Sequence, residues 1–431
     1  MILIYTEHIS PRLLWIVDVL FAEMNGIEVS LTSDLDQFKL SDGVKLNYSE
    51  THIEGISKIR PHTLLFEKNI REHDITFSND GINKLYLNTG DLLGFDLFSA
   101  AFYLLSRYEE YLPHDKDKHG RYRFNNSLAF KHGFIEIPLV DFWMKDLFAA
   151  IANIYANFSA PKRKFRLLPT MDVDVAYAYR GRSFARNFRS IAKDVLTLNL
   201  DRIKDRRKTK STGLDPFDTF DYFNRLTKEF DLDKKHFFLL GDYGKHDKNL
   251  HHHDPDLTTL IKSHSETAGS HPSYAVHTSE VQLEKEKRRL EKIIGRTVNH
   301  SRYHYLKFEL PESFRQLCRL GYTEDYSMAY AEQPGFRTST SIPYTFYDLS
   351  TESPTELIIY TTAVMDGTCE NYLKLSPDEA VKKINSLVDT VRKVDGTFVL
   401  LWHNESLSNR GNWKGWRDVF HRVIKYAALK V

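Results

Sequence analysis

Two carboxylates, Asp172 and Asp174, follow an apolar run from Phe165 to Leu168. The run reads as a buried β-strand, with the acids at its end. In extended chain, residues i and i+2 point the same way, so the two acids should share a cavity. Like charges that close repel, and one pKa rises unless a cation sits between them. Paired acids at the C-terminal end of a strand are therefore a seed for a metal site with a built-in base. The competing reading is structural: one acid caps a following helix and the other is solvated. Four more residues bear on the choice. His271 follows Gly269-Ser270, Arg302 and His304 lie in Arg302-Tyr303-His304-Tyr305, and His403 ends the apolar run Thr397 to Trp402. All fall at strand ends, together with the two acids, which favours the chemical reading.

The elements that must position these groups alternate. From residue 165 onward, strand patterns (165–168, 235–241, 397–404) are separated by helical ones (215–230, 257–264, 279–294, 311–320, 377–394, 416–429). Such alternation argues a parallel β/α layout, in which chemistry gathers at the C-terminal ends of the strands. Ser376 is the expected N-cap of the 377–394 helix, with Pro377 at its first position. Residues 1–160 read as a smaller α/β unit. Its elements are a strand at 2–5, a helix from Pro11 to Met24, strands at 44–48, 63–66 and 84–88, and helices at 91–111 and from 137 to about 156. A charged loop lies at 115–120. No motif of nucleotide or phosphate chemistry stands in residues 1–157, so the unit reads as accessory. Ser159-Ala160-Pro161-Lys162-Arg163-Lys164 has the composition of a linker and puts the boundary near 160. The organisation is thus 1–160 and 161–431, within the two or three domains that 431 residues suggest at roughly 150 each.

Composition excludes several classes. The chain is 42% hydrophobic and 27% charged, ordinary for a soluble globular protein. Lys and Arg number 59 against 58 Asp and Glu, which gives no global bias toward nucleic acid. Cys318 and Cys369 are the only cysteines, so a metal here would use His and carboxylate. No run of 18 apolar residues suggests a membrane span, and the first residues read as a strand and not a signal peptide, so the expected location is cytoplasmic. Basic residues crowd the 180–210 region, Arg180 to Lys210. They read as a solvated helix or, more sharply, as a dock for anionic glycans, phosphate-linked sugars or a membrane surface. The run His251-His252-His253 invites a metal reading, but consecutive side chains diverge and its surroundings look like an exposed loop.

Thr170-Met171-Asp172-Val173-Asp174 resembles the first motif, T-F-D-D, of the polysaccharide deacetylases, the nodulation-deacetylase homology domain of carbohydrate esterase family four. Lys235 to Gly241 is similar to the family's second strand. Ala268-Gly269-Ser270-His271 sits where the histidine motif belongs, Arg302-Tyr303-His304-Tyr305 where the family has R-x-P-Y, and Leu401-Trp402-His403 matches the late L-x-H motif. The similarity covers about 165–405. The whole chain further resembles a bacterial subgroup with an additional N-terminal domain, through blocks such as Gly335-Phe336-Arg337 and Met365-Asp366. The resemblance implies a distorted β/α barrel and a hydrolase that removes acetyl groups from N-acetylated carbohydrate with a divalent metal, often zinc. It implies Asp172 as general base, Asp174 and His271 as metal ligands, Arg302 as the residue orienting the base, and His403 as the acid that protonates the leaving amine. Arg337 and Asp366 are candidates for the cleft wall, Asp366 equally for a turn.

One departure matters. The family's H-x-x-x-H places a second histidine four residues after the first, and here that position is Ala275, which cannot ligate. His277 and His304 are the candidate replacements. His304 is the better placed, because at a strand end it faces the cavity that Arg302 faces. The main expectation is a metal-dependent deacetylase acting on an N-acetylated sugar or polysaccharide precursor. The missing histidine motivates a rival from another class, a non-catalytic carbohydrate-binding or scaffold protein on a degenerate deacetylase fold. A third reading keeps the hydrolysis and changes the amide.

Overall fold

The computed structural model describes residues 1–78, 83–88, 92–181, 200–276 and 279–429. The N-terminal region opens with a parallel three-stranded sheet: β1 (Ile2–Tyr5) lies between β2 (Val29–Thr32) and β3 (Val44–Asn47). A short antiparallel pair, β4 (Phe77–Ser78) and β5 (Lys84–Leu85), follows. Helices Leu97–Leu105 and Leu139–Ile154 pack into the same core. The segment 63–66, expected as a strand, is a 3-10 turn. Leu64 and Leu65 are both fully buried, so burial does not alternate there as in a half-buried strand. His62 Nδ1 accepts the Leu64 N–H at 3.2 Å and caps the turn.

The larger sheet begins at β6 (Arg166–Val173). It continues through β7 (Lys235–Phe238), β8 (Ala268–Ser270), β9 (His300–Ser301), β10 (Glu324–Asp325), β11 (Tyr344–Asp348), β12 (Ser353–Ile359), β13 (Thr362–Met365) and β14 (Thr397–His403). The spatial order is β11-β12-β10-β9-β8-β7-β6-β14-β13, with every pair parallel except β11–β12. This is an α/β architecture with a curled, half-barrel-like sheet preceded by smaller α/β elements. Strand β6 is buried at every residue but its first, as expected of a parallel strand covered on both faces. Its register sets the site: Asp172 pairs with His403 on β14 and with Phe237 on β7. Helix Pro377–Arg392 has Ser376 as N-cap, closed by a capping box with Glu379.

One apolar core runs through both regions. Buried polar contacts cross between them as well. Asp141 accepts the N–H and hydroxyl of Ser341 at 2.8 and 2.6 Å, and Arg337 donates to Glu110 at 2.8 and 2.5 Å. Gly335 lets the backbones meet: its φ is +137°, and an added Cβ would sit 2.3 Å from the Ile135 carbonyl oxygen.

Candidate metal centre

The ends of β6, β8, β9 and β14 converge on a cavity of about 210 Å³. Its wall includes Asp172, Asp174, His271, His304 and His403. Asp174 stands one residue past β6 and lies between two imidazoles. His271 Nε2 is 3.1 Å from its Oδ1, and His304 Nε2 is 3.2 Å from its Oδ2. The ligand atoms of these three residues all fall within 4.8 Å of one another, the one such group among the described residues. His271 Nε2 also lies 3.8 Å from Asp172 Oδ2, so the acid pair does share one space.

Each imidazole is oriented from behind. His271 Nδ1–H donates to the Arg302 carbonyl at 2.5 Å, and His304 Nδ1–H donates to Asp247 Oδ1 at 2.9 Å. These acceptors fix the tautomers, so a neutral ring presents its Nε2 lone pair to the Asp174 oxygens. Lone pairs facing lone pairs need a proton or a cation between them. Burial opposes charge on His304, yet Asp174 and Asp247 outweigh it and push the imidazole up to about 9. Burial likewise works to raise the Asp174 carboxyl, but His304, His271 and His403 hold it well below the usual carboxylate range. The donor set therefore fits a divalent ion. Two imidazoles and a carboxylate with remaining open positions are the pattern of catalytic zinc sites.

Arg302 is fully buried and carries Asp172. Its Nη1 donates to Asp172 Oδ1 at 2.7 Å and to Thr170 Oγ1 at 2.8 Å, Nε donates to the Tyr326 carbonyl at 3.0 Å, and Nη2 to Thr362 Oγ1 at 3.1 Å. These bonds leave the guanidinium little freedom, and they fix which Asp172 oxygen faces the histidines. His403 forms a second pair. Its Nδ1–H donates to Asp366 Oδ1 at 2.7 Å, its backbone N–H donates to Asp366 Oδ2 at 2.8 Å, and its Nε2 lies 3.7 Å from Asp174 Oδ2. Burial opposes the charge on His403, but Asp366 and Asp174 hold its pKa well above the usual imidazole range. Glu405 also lines the cavity, and burial pushes its carboxyl up to about 7.

All six residues singled out from the sequence thus meet at one place. The strand around Arg302 is shorter than expected: β9 stops at Ser301, and His304 begins a 3-10 turn. His304 still faces the cavity with Arg302 behind it. His277 lies outside the described residues, as do Arg182, Arg186, Arg189 and Lys193 of the basic region. Arg180 is ion-paired with Asp218 and Asp256 at 3.1 and 2.9 Å. The rings of His251, His252 and His253 lie tilted against one another in a loop and form no metal cluster among the described residues. Arg337 does not line the cavity; its fork is taken by Glu110 of the N-terminal region. Sequence reasoning missed Asp247 as a partner of His304 and left Asp366 between a wall and a turn residue. It also missed Arg121, which reaches the cavity from the N-terminal region.

Fold and site define an α/β protein with a half-barrel sheet and a buried Asp-His-His cluster able to coordinate a metal ion. A family model described as a family of unknown function (DUF7033) matches residues 2–156. None of the curated proteins matches. Among solved structures, the chain is similar to a protein assigned as a polysaccharide deacetylase from Mycobacterium smegmatis: 14% identity, 62% of this chain and 86% of that one, TM-score 0.38. It is similar to PuuE allantoinase at 11% identity, over 62% of this chain and 84% of that one, TM-score 0.39. A protein from Pseudomonas aeruginosa PAO1, also assigned as a polysaccharide deacetylase, gives 9% identity, 62% and 85% coverage and a TM-score of 0.39. Likenesses this distant decide nothing about chemistry, which rests on the residues of the site. Among the described residues, no helix is long and apolar enough to cross a membrane.

Proposed function

We propose that the protein is a metal-dependent hydrolase that removes the acetyl group from an N-acetylated sugar or polysaccharide precursor. One observation carries the reading: the Asp174–His271–His304 cluster, the Asp172–Arg302 pair and the His403–Asp366 pair all face one cavity. Asp174, His271 and His304 would hold the ion, and Zn²⁺ suits their nitrogen and oxygen donors. A divalent ion held there would lower the pKa of a water toward about 7 and polarise the amide carbonyl.

The chain's own residues supply the proton transfers. Asp172 accepts the proton of the attacking water through the oxygen that Arg302 leaves free. Water oxygen bonds to the amide carbon and the carbon–nitrogen bond breaks. His403, kept protonated by Asp366, gives its proton to the departing nitrogen. The products are acetate and an amine. Arg302 holds Asp172 in aim through the Nη1 bond to its Oδ1. The resemblance of the motifs to the polysaccharide deacetylases supports a sugar amide over other amides.

The test is acetate release from N-acetylhexosamine oligomers by protein reconstituted with zinc, against Asp174→Ala. Release by the wild type and its loss in the variant are expected. Equal release by both would reject the site.

A further inference from the structure

The N-terminal region reaches the mouth of the cleft through one hairpin, closed by the bridge between Lys116 and Tyr122. Asp117 stiffens it. Its Oδ1 accepts the backbone N–H groups of His119 and Arg121 at 2.8 and 3.0 Å, and its Oδ2 accepts Arg121 Nε at 2.7 Å. The Arg121 side chain is only 6% exposed. From this anchorage Nη1 donates to the Tyr305 carbonyl at 2.8 Å, and Nη2 donates to the Tyr372 hydroxyl at 3.4 Å. His119 lies beside it, its ring centroid 5.2 Å from that of Tyr305 and its Nδ1 3.2 Å from the Tyr274 hydroxyl.

The two tyrosines matter because of where they stand. Tyr305 directly follows His304, and its backbone is left-handed at φ 62°, as is that of Leu306 at φ 52°. Left-handed backbone is unfavourable for a non-glycine residue and persists only where the surroundings impose it. The Arg121 bond to the Tyr305 carbonyl is such an imposition. Tyr372 ends the π-helical turn Thr368–Tyr372, also on the cavity wall, and is 39% exposed. Arg121 is poorly suited to receive a substrate anion, because Asp117 neutralises its charge and its donors are spent on Asp117, Tyr305 and Tyr372.

We propose that the hairpin at 116–122 is a working wall of the cleft, and that Arg121 is a positioning residue that fixes Tyr305 and Tyr372, and so the substrate-contacting rim, relative to His304. Its bearing on substrate rests on the hydrolase reading; the brace itself does not. The N-terminal region then completes the site physically.

Hydrogen exchange on the full chain tests the brace without any turnover. In Arg121→Ala, the amides of Leu306 and Lys307 and those of 368–375 should exchange about 10-fold faster or more, while those of Thr397–His403 stay as in the wild type. Tyr372→Phe, a change at an exposed residue, should speed exchange at 368–375 alone. Wild-type exchange at Leu306 and Lys307 in folded Arg121→Ala, or at 368–375 in Tyr372→Phe, overturns the brace. In turnover of an N-acetylhexosamine oligomer, both variants should raise KM about 10-fold with kcat within about threefold. Unchanged KM in a variant whose rim exchanges faster overturns the claim about substrate. A wild-type protein that releases no acetate refutes the hydrolase reading and leaves the exchange result to decide the brace.

Discussion

Asp247→Asn isolates the part of the metal centre that lies behind the ligands. Asp247 Oδ1 accepts from His304 Nδ1 at 2.9 Å and from the Tyr274 backbone N–H at 2.9 Å, and the residue is 7% exposed. Asparagine keeps the shape and an oxygen for both donors but removes the charge. That charge is one of the forces that, with Asp174, overcome burial and push His304 up to about 9. A carboxylate behind a ligating imidazole makes its other nitrogen a better donor and holds the ring in aim. Losing such a partner costs about 10–100-fold in metal affinity, or about 1.4–2.7 kcal/mol. The assay is calorimetric titration of zinc, with a competing chelator, into metal-free wild type and Asp247→Asn at neutral pH. Thermal unfolding of both metal-free proteins runs beside it. The expected result is a weaker Kd of that size with a single site in both. Wild-type affinity in Asp247→Asn would refute the claim that the Asp247 charge strengthens His304 as a ligand. A lower Tm of the metal-free variant with unchanged Kd would make Asp247 a structural residue only.

Asp366→Asn acts on the other histidine, so it should lower kcat for acetate release about 10²–10³-fold while zinc affinity stays within about threefold. A variant that loses zinc and keeps kcat at saturating metal would reverse the roles given to His403 and His304. Glu110 gives a pH prediction. Burial works to raise its carboxyl, but Arg337 and Arg107 outweigh it and lower it from 4.5 to about 2. A depressed carboxyl stabilises above its unfolded pKa, and the stabilisation, about 3 kcal/mol, is lost as pH falls from about 4.5 through about 2. Glu110→Gln should therefore unfold in less urea at neutral pH and show a flatter acid limb; equal acid limbs in the two proteins would contradict this.

The half-barrel layout was legible because parallel strands buried on both faces leave apolar runs, and the helices between them leave a longer period. Asp172 and Asp174 were legible as neighbours because strand geometry sets the direction of residues two apart. His304 was placed by the same rule although the strand ends at Ser301, since the 3-10 turn still turns its ring inward. What stayed hidden is what acts across the chain. Asp247 meets His304 from 57 residues away, Asp366 meets His403 from 37, and Arg121 meets Tyr305 from 184. No local pattern marks a lone acid or arginine in a loop as the partner of a distant group. Strands β11 to β13 were also unread. In β11 and β12, Asp348, Ser353 and Pro354 break the apolar pattern, and β13 has only four residues. The 115–120 segment read as a charged loop because its charges are real, but Asp117 pairs with Arg121, Lys116 pairs with Glu309, and a bridge from Lys116 to Tyr122 makes it a hairpin.

The central claim is that three side chains hold one ion. Anomalous diffraction at the zinc edge, from crystals of the full chain grown with zinc, measures it directly. The account predicts one peak about 2.0–2.2 Å from an Asp174 carboxylate oxygen, His271 Nε2 and His304 Nε2. A zinc-replete crystal with no peak there, or with its peak on the His251–His253 loop instead, would contradict it.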